Sequence, residues 1–289
     1  MGSIEQNSGN KSNGIEENSD TINYADEAEK MLAVLPDIDG IFDSHAHYDD
    51  EKFNGLRDFL LKALFSRGIS GIINCGCDIE SSKEAQRLSQ QFDRMYAAVG
   101  FHPENLPKTE PDLSTLLPLL EDKKTVAIGE IGLDYHWDIE KELQKLWFSQ
   151  QVELANRQNL PVIVHDREAH ADTLEILKKH RPRGVVHCFS GSVETAKELL
   201  NLGLYIGVGG VVTFKNARKT VELAEMLPLD RLLLETDCPY LAPAPYRGRL
   251  CHSGLIAFTA EKIAEIRGVT AQEIIKASAE NAKRLFGIT

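Results

Sequence analysis

Six residues of this chain carry side chains suited to divalent metal ions, and they fall at comparable places. They are His45 and His47 in Asp43-Ser44-His45-Ala46-His47, Glu130 after Ile128-Gly129, His165 after Ile163-Val164, His187 after Val185-Val186, and Asp237 after Glu235-Thr236. Each ends or directly follows a short apolar run. Imidazole with carboxylate is a good donor set for Zn²⁺, Mn²⁺ or Fe²⁺ and a tolerable one for Mg²⁺. His45 and His47 stand two residues apart, so on an extended strand both rings point to one side and can chelate one ion. A lone histidine is more simply a hydrogen-bonded, partly buried side chain. Six metal-capable residues at the ends of apolar runs are not explained that way. One tetrahedral zinc uses about four ligands, whereas two ions about 3.5–4 Å apart and bridged by a carboxylate would use all six. The expected assignment is His45, His47 and Asp237 to one ion, His165 and His187 to the other, and Glu130 as the bridge.

These donors need elements to carry them. The chain supplies eight apolar runs: Ile41–Ser44, Gly71–Cys75, Tyr96–Gly100, Val126–Glu130, Pro161–His165, Gly184–Cys188, Tyr205–Val208 and Leu232–Thr236. Most are continuous rather than alternating, as parallel strands covered on both faces require. Helical stretches fall between them. Glu142–Asn156 places Leu143, Leu146, Trp147 and Leu154 on one stripe. Capping boxes at Ser81–Glu84 and Thr270–Glu273 predict two helix starts. Eight βα units over about 250 residues predict an α/β fold, a single-domain (β/α)8 TIM barrel. All six donors then sit at strand C-terminal ends, where such barrels build their sites. An open doubly wound sheet competes, but it usually follows its first strand with a Gly-rich phosphate loop. Here the first run leads into two histidines instead. Gly207-Val208-Gly209-Gly210 lacks the lysine and serine of a nucleotide loop and reads as a turn at the barrel rim.

The barrel is expected over residues 39–289, preceded by a polar, flexible extension over residues 1–38 that is rich in Asn, Ser, Gly and Glu. Within it, Ala25, Ala28, Met31 and Leu32 recur at helical spacing and allow a short helix between Tyr24 and Leu35. With 32 basic and 44 acidic residues the net charge is −12. That argues against holding nucleic acid on a broad basic surface and leaves room for a local phosphate site. No run approaches the roughly 18 apolar residues of a membrane span, and the polar start lacks a secretory pattern. Five cysteines without framework spacing fit free thiols, so the expected location is cytoplasmic. No membrane contact and no obligate protein partner are expected.

The segments FDSHAHYDD, AAVGFHPE, AIGEIGLDYHWD, PVIVHDREAHADTLEIL, GVVHCFSGS, IGVGGVVTFKNARK and LLLETDCPYLAP occur in this order from Ile41 onward. In them the chain resembles the TatD family of metal-dependent deoxyribonucleases, whose fold is similar to the amidohydrolase barrels. The resemblance implies a two-metal phosphodiesterase acting on DNA, commonly a 3′→5′ exonuclease on single strands, and Mg²⁺ as the usual metal. The family's ligand motifs map onto the six donors named above. The chain departs from the family after Leu241-Ala242-Pro243. The family shows Arg-Gly-x-x-Asn there, whereas this chain reads Arg247-Gly248-Arg249-Leu250-Cys251, with Cys251 in place of the Asn.

Phosphodiester hydrolysis needs an activated water and neutralised charge on the leaving oxygen, which two metals can supply. Asp237 is the expected acceptor of the water's proton, and Glu130 sets the spacing of the ions. His102, in Gly100-Phe101-His102-Pro103, is either a phosphate contact, as the family's His-Pro motif suggests, or a turn histidine. Further cations expected at the mouth are Arg167, Lys215, Arg218, Arg247 and Arg249. The alternative reading is a metal-dependent amide or aminoacyl-ester hydrolase of the amidohydrolase type, because barrel and metals are shared across reactions. Many binuclear amidohydrolases bridge their ions with a modified fourth-strand lysine, and that position here is Glu130. A non-catalytic barrel should have lost a ligand, and none of the six is missing.

Overall fold

Continuous apolar strands must be buried on both faces, and a closed barrel does this without leaving a sheet edge. The computed structural model describes residues 23–36 and 39–289. Its strands are β1 (Phe42–Ala46), β2 (Gly71–Cys75), β3 (Met95–Val99), β4 (Thr125–Asp134), β5 (Val162–Arg167), β6 (Gly184–Val186), β7 (Tyr205–Val208) and β8 (Leu232–Leu234). They form one parallel sheet in the order β1 to β8. The sheet closes just beyond β8. Ala46 bridges Cys238, Asp237 donates its N–H to His45 O at 3.0 Å, and His47 donates to Cys238 O at 2.8 Å. The architecture is the (β/α)8 barrel.

The helices are α1 (Tyr24–Leu32), α2 (Arg57–Ser66), α3 (Ile79–Gln91), α4 (Lys141–Gln158), α5 (His170–His180), α6 (Val193–Asn201), α7 (Arg218–Met226), α8 (Ile256–Arg267) and α9 (Ala271–Phe286). Between β3 and β4 the chain uses a 3₁₀ run, Leu113–Glu121, with Pro118 inside it. Thr270 and Glu273 form the expected capping box of α9. At α3 the start lies earlier than expected. Asp78 is the N-cap and accepts from Ser81 N, while the Ser81 hydroxyl answers the Asp78 N–H. Ser81 is therefore the third helical residue rather than the cap.

Three strands outrun their expected ends, β5 by two residues to Arg167. β1 continues through His45 to Ala46, and β4 runs ten residues to Asp134, all buried. Gly132 makes the extension of β4 possible. Its φ is +147°, and a Cβ there would lie 2.0 Å from His165 O, so only glycine lets β4 pass this close to β5. β6 and β8 stop earlier, at Val186 and Leu234, which leaves His187 and Asp237 just beyond their strands.

Inside the barrel Ile73, Ala98, Ala127, Ile163 and Leu233 pack with Leu285 and Phe286 of α9. Asn281 of the same helix donates to Leu229 O at 2.7 Å and to Leu232 O at 2.9 Å, at the start of β8. This helix fills the N-terminal end of the barrel and leaves the C-terminal end open for a site.

Within the N-terminal extension α1 forms inside the Tyr24–Leu35 stretch where the spacing allows a short helix, and it packs on the barrel. Asn23 caps α1, and Ala28 and Leu32 are buried against the barrel's shell. Arg67 at the end of α2 donates to Leu32 O at 2.9 Å and pairs with Glu29. Burying a leucine stabilises by about 1.5–3 kcal/mol, whereas the half-exposed Arg67–Glu29 pair adds about 1 kcal/mol or less. The rest of the expected flexible extension, residues 1–22 and 37–38, lies outside the described residues.

Candidate metal centre

The barrel brings all six expected donors to one place. Glu130, 3% exposed, lies in the middle with its two oxygens turned to different partners. Oε2 stands 3.3 Å from Nε2 of both His45 and His47. Asp237 Oδ1 lies 3.5 and 3.4 Å from the same two nitrogens. Oε1 stands 2.8 Å from His165 Nδ1 and 2.8 Å from His187 Nε2. Donor atoms of His45, His47 and Glu130 lie close enough together to hold one ion, as do those of His45, His187 and Asp237 and those of His102, Glu130 and His165.

The imidazoles are held by their other nitrogens. His47 Nδ1 donates to Cys75 O at 2.9 Å, and His45 Nδ1 meets the Cys75 thiol at 3.4 Å. His165 Nε2 donates to Asp134 Oδ2 at 2.9 Å, which in the neutral ring leaves the Nδ1 lone pair facing Glu130. His187 Nδ1 faces Glu235 Oε1 at 3.7 Å, and both His187 Nδ1 and Glu235 Oε2 are buried without a hydrogen-bond partner. The His187 ring stacks on His45 with centroids 3.9 Å apart.

This arrangement fits a cation. With its Nδ1 proton given to Cys75 O, neutral His47 presents a lone pair at Nε2. That lone pair faces His45 Nε2 at 2.9 Å and the carboxylates of Glu130 and Asp237. Acceptors facing acceptors repel unless a proton or a metal lies between them. The ionisation of the cluster shows the same demand. Burial pushes the His45 and His47 imidazoles down, but the sulfurs of Cys75 and Cys77 with Glu130 and Asp237 hold both well above the ordinary value. Burial also opposes charge on His165, yet its bonds to Asp134 and Glu130 raise it to about 9. Glu130 is held well below the usual carboxylate range, against its burial, by His187, His102 and His45. Asp237 is lowered, again against burial, by its contacts with His45 and His47. Carboxylate–imidazole pairs like Asp134–His165 are the usual outer support of metal-binding histidines.

His102 takes the turn role, one of the two expected of it. As N-cap of the turn Pro103–Asn105 it accepts from Glu104 N at its Nδ1, 3.2 Å away. Burial pushes its pKa down to about 3, so the ring is neutral and carries its proton on Nε2. That N–H faces Glu130 Oε1 at 3.5 Å. His102 is therefore a donor toward the site rather than a free lone pair.

Five of the six donors, all but the fully buried His45, line a cavity of about 580 Å³ that also includes Arg167, Trp137 and Tyr240. Arg167 Nη1 lies 3.9 Å from Asp134 Oδ2. The other expected cations stand apart from this lining. Lys215 and Arg247 line a neighbouring cavity, with the Arg247 guanidinium 4.4 Å above the Phe214 ring. Arg249 borders hollows beside the loop after β8, and Arg218 pairs with Glu222 at 2.9 Å on the surface. Cys251, the departure from the family pattern, is fully buried and donates its N–H to Pro239 O at 3.1 Å. It anchors the loop instead of facing the cavity.

Sequence reading did not single out Asp134 or Glu235. Both are charged residues fully buried at strand ends. Glu235 had a visible signal, an acid that follows Leu232-Leu233-Leu234 two residues before Asp237.

Known proteins similar to this chain are metal-dependent hydrolases. Residues 42–287 match the family model described as TatD related DNase. The chain is 41% identical to the metal-dependent hydrolase YabD of Bacillus subtilis over 253 residues, covering 86% of this chain and 99% of that one. It is 37% identical to the metal-dependent hydrolase YcfH of Escherichia coli, covering 86% of this chain and 96% of that one. The crystal structure of the TatD homologue YjjV from Escherichia coli superposes with a TM-score of 0.80 at 35% identity, covering 86% of this chain and 98% of that one. The chain belongs to the TatD family and is a metal-dependent hydrolase.

Proposed function

We propose that this member of the TatD family is a two-metal phosphodiesterase that removes nucleotides from the 3′ end of single-stranded DNA. The observation that carries the reading is the division of Glu130, with Oε2 facing His45 and His47 and Oε1 facing His165 and His187. A carboxylate placed this way is suited to bridge two ions. His45, His47 and Asp237 would hold one, and His165 and His187 the other. Two bound divalent ions supply charge neutralisation at the phosphate and acidify water. Mg²⁺ is the family's usual metal, while the imidazole-rich donor set also suits Zn²⁺ or Mn²⁺.

The protein's own groups do the rest. Asp237, whose side chain is 22% exposed against 4% for Glu130, reaches the cavity and accepts the proton of the attacking water. Asp134 and Cys75 O fix the rings of His165 and His47 in the tautomers their roles need. The His102 Nε2–H and the Arg167 guanidinium are donors for phosphate oxygens. All five cysteines are free, which suits the reducing cytosol proposed as its location.

The test is hydrolysis by the metal-loaded protein of single- and double-stranded oligonucleotides labelled at either end, beside a panel of amides and aminoacyl esters. The expected result is stepwise shortening of single strands from the 3′ end, with the amides and esters left intact. Hydrolysis of the amide or ester panel alone would replace this reading with the amidohydrolase one.

A further inference from the structure

The rim of the cavity carries two aromatic rings that the metal chemistry does not use. Among the described residues six large hydrophobic side chains are exposed, and Trp137 and Tyr240, each 45% exposed, are the two of these that line the metal cavity. Single exposed rings are ordinary, but two on the rim of one cavity present apolar surface where a ligand would enter. Trp137 follows β4 and Tyr240 follows β8. In a closed sheet ordered β1 to β8, these two strands lie opposite each other, so the two residues follow strands on opposite sides of the mouth, and both line the cavity that holds Glu130.

Each ring has a neighbour that restricts it. The Tyr240 hydroxyl donates to Asp50 Oδ2 at 2.8 Å. The Lys52 ammonium stands 3.9 Å from the Tyr240 ring centroid and covers one face. Trp137 meets the His136 ring edge to face at 5.2 Å. A restricted ring with an open face loses little entropy when another flat ring stacks on it.

We infer that Trp137 and Tyr240 form a two-sided clamp that stacks the nucleobases flanking the scissile phosphate. The proposal rests on the phosphodiesterase reading and adds how the strand is selected. The phosphate group turns down toward the metal donors, His102 and Arg167, while one base on each side turns up onto a ring. Bases in a duplex are already stacked and cannot do this. The clamp therefore selects unstacked strands and tolerates any sequence, because every base offers a π-face.

The chain has two tryptophans, and Trp147 is buried in the core, so the emission lost in W137F reports Trp137. Metal-loaded protein is titrated with a single-stranded hexamer carrying hydrolysis-resistant linkages, with an abasic hexamer of the same backbone, and with the corresponding duplex. The single strand should quench Trp137 emission, and the abasic strand and the duplex should not. W137A and Y240A should each raise KM for cleavable single strands by about tenfold. Values of kcat should hold, W137F and Y240F should restore KM, and KM on the abasic strand should not move. Equal quenching by base-bearing and abasic strands, or hydrolysis whose KM ignores both rings, overturns the clamp while leaving the phosphodiesterase reading intact. Absence of any phosphodiester hydrolysis by folded, metal-loaded protein overturns both.

Discussion

The two sides of Glu130 are built from different materials. On the β1/β8 side, His45 and His47 are held by a thiol and a backbone carbonyl, and Asp237 adds a carboxylate of its own. On the β5/β6 side, His165 and His187 have no such companion. Their carboxylates stand behind the rings, Asp134 bonded to His165 and Glu235 facing His187. One side thus offers a cation negative charge at the donor atoms, and the other offers charge relayed through imidazole. Direct charge attracts more strongly than charge one ring further away, so the β1/β8 side should hold its ion more firmly. The β5/β6 side should depend on residues that touch no metal.

E130Q removes the charge both sides share at nearly constant shape, and it carries the largest expected effect. Activity should fall by more than about 10³-fold, beyond the loss of a single stabilising donor, and elemental analysis should find both ions depleted. Full occupancy by two ions together with a normal rate would show that Glu130 is not the bridge.

D134A separates the sides. It leaves every proposed ligand in place but frees His165, so affinity for one ion should drop by about 10–100-fold. The other ion should be retained in a titration of metal content against free metal. Equal weakening of both ions would mean that the two sides respond as a unit. The smallest effect is expected away from both sides. Replacing Arg247 and Arg249 together by Ala should leave metal content unchanged. The slope of log affinity for single strands against log salt should become shallower by about 0.7 for each phosphate that no longer meets a cation. An unchanged slope would place the strand's path elsewhere on the rim, whereas depleted metal would tie these arginines to the centre.

What the sequence could reveal divides along a similar line. Eight apolar runs are strong signals because a strand buried on both faces has few other compositions, and the eight strands fall within or beside those runs. The six donors were legible because each follows such a run. Asp134 was not, because its role depends on β4 continuing past Glu130, and that continuation depends on Gly132 lying against His165 O. No periodicity within β4 announces a contact made with β5. The helix α1 was legible in the spacing of Ala28 and Leu32, but its seat against α2 was not, since packing partners leave no mark in a local pattern. The loop cations were harder still. A strand end fixes where a loop begins, while the contacts of Arg218 with Glu222 and of Arg247 with Phe214 decide where it points.

The closure of the barrel has a consequence for its durability. The first and last strands meet through the backbone of His45, His47, Asp237 and Cys238, and three of these four residues also aim their side chains at the proposed metal position. The join of the cylinder and the chemistry occupy the same few peptide units. An ion that ties His45, His47 and Asp237 together would therefore act as a clasp on the sheet and favour the folded state by mass action. Chelation would have the opposite effect, and the first amides to exchange with solvent would be those along this join rather than those of β3 or β6.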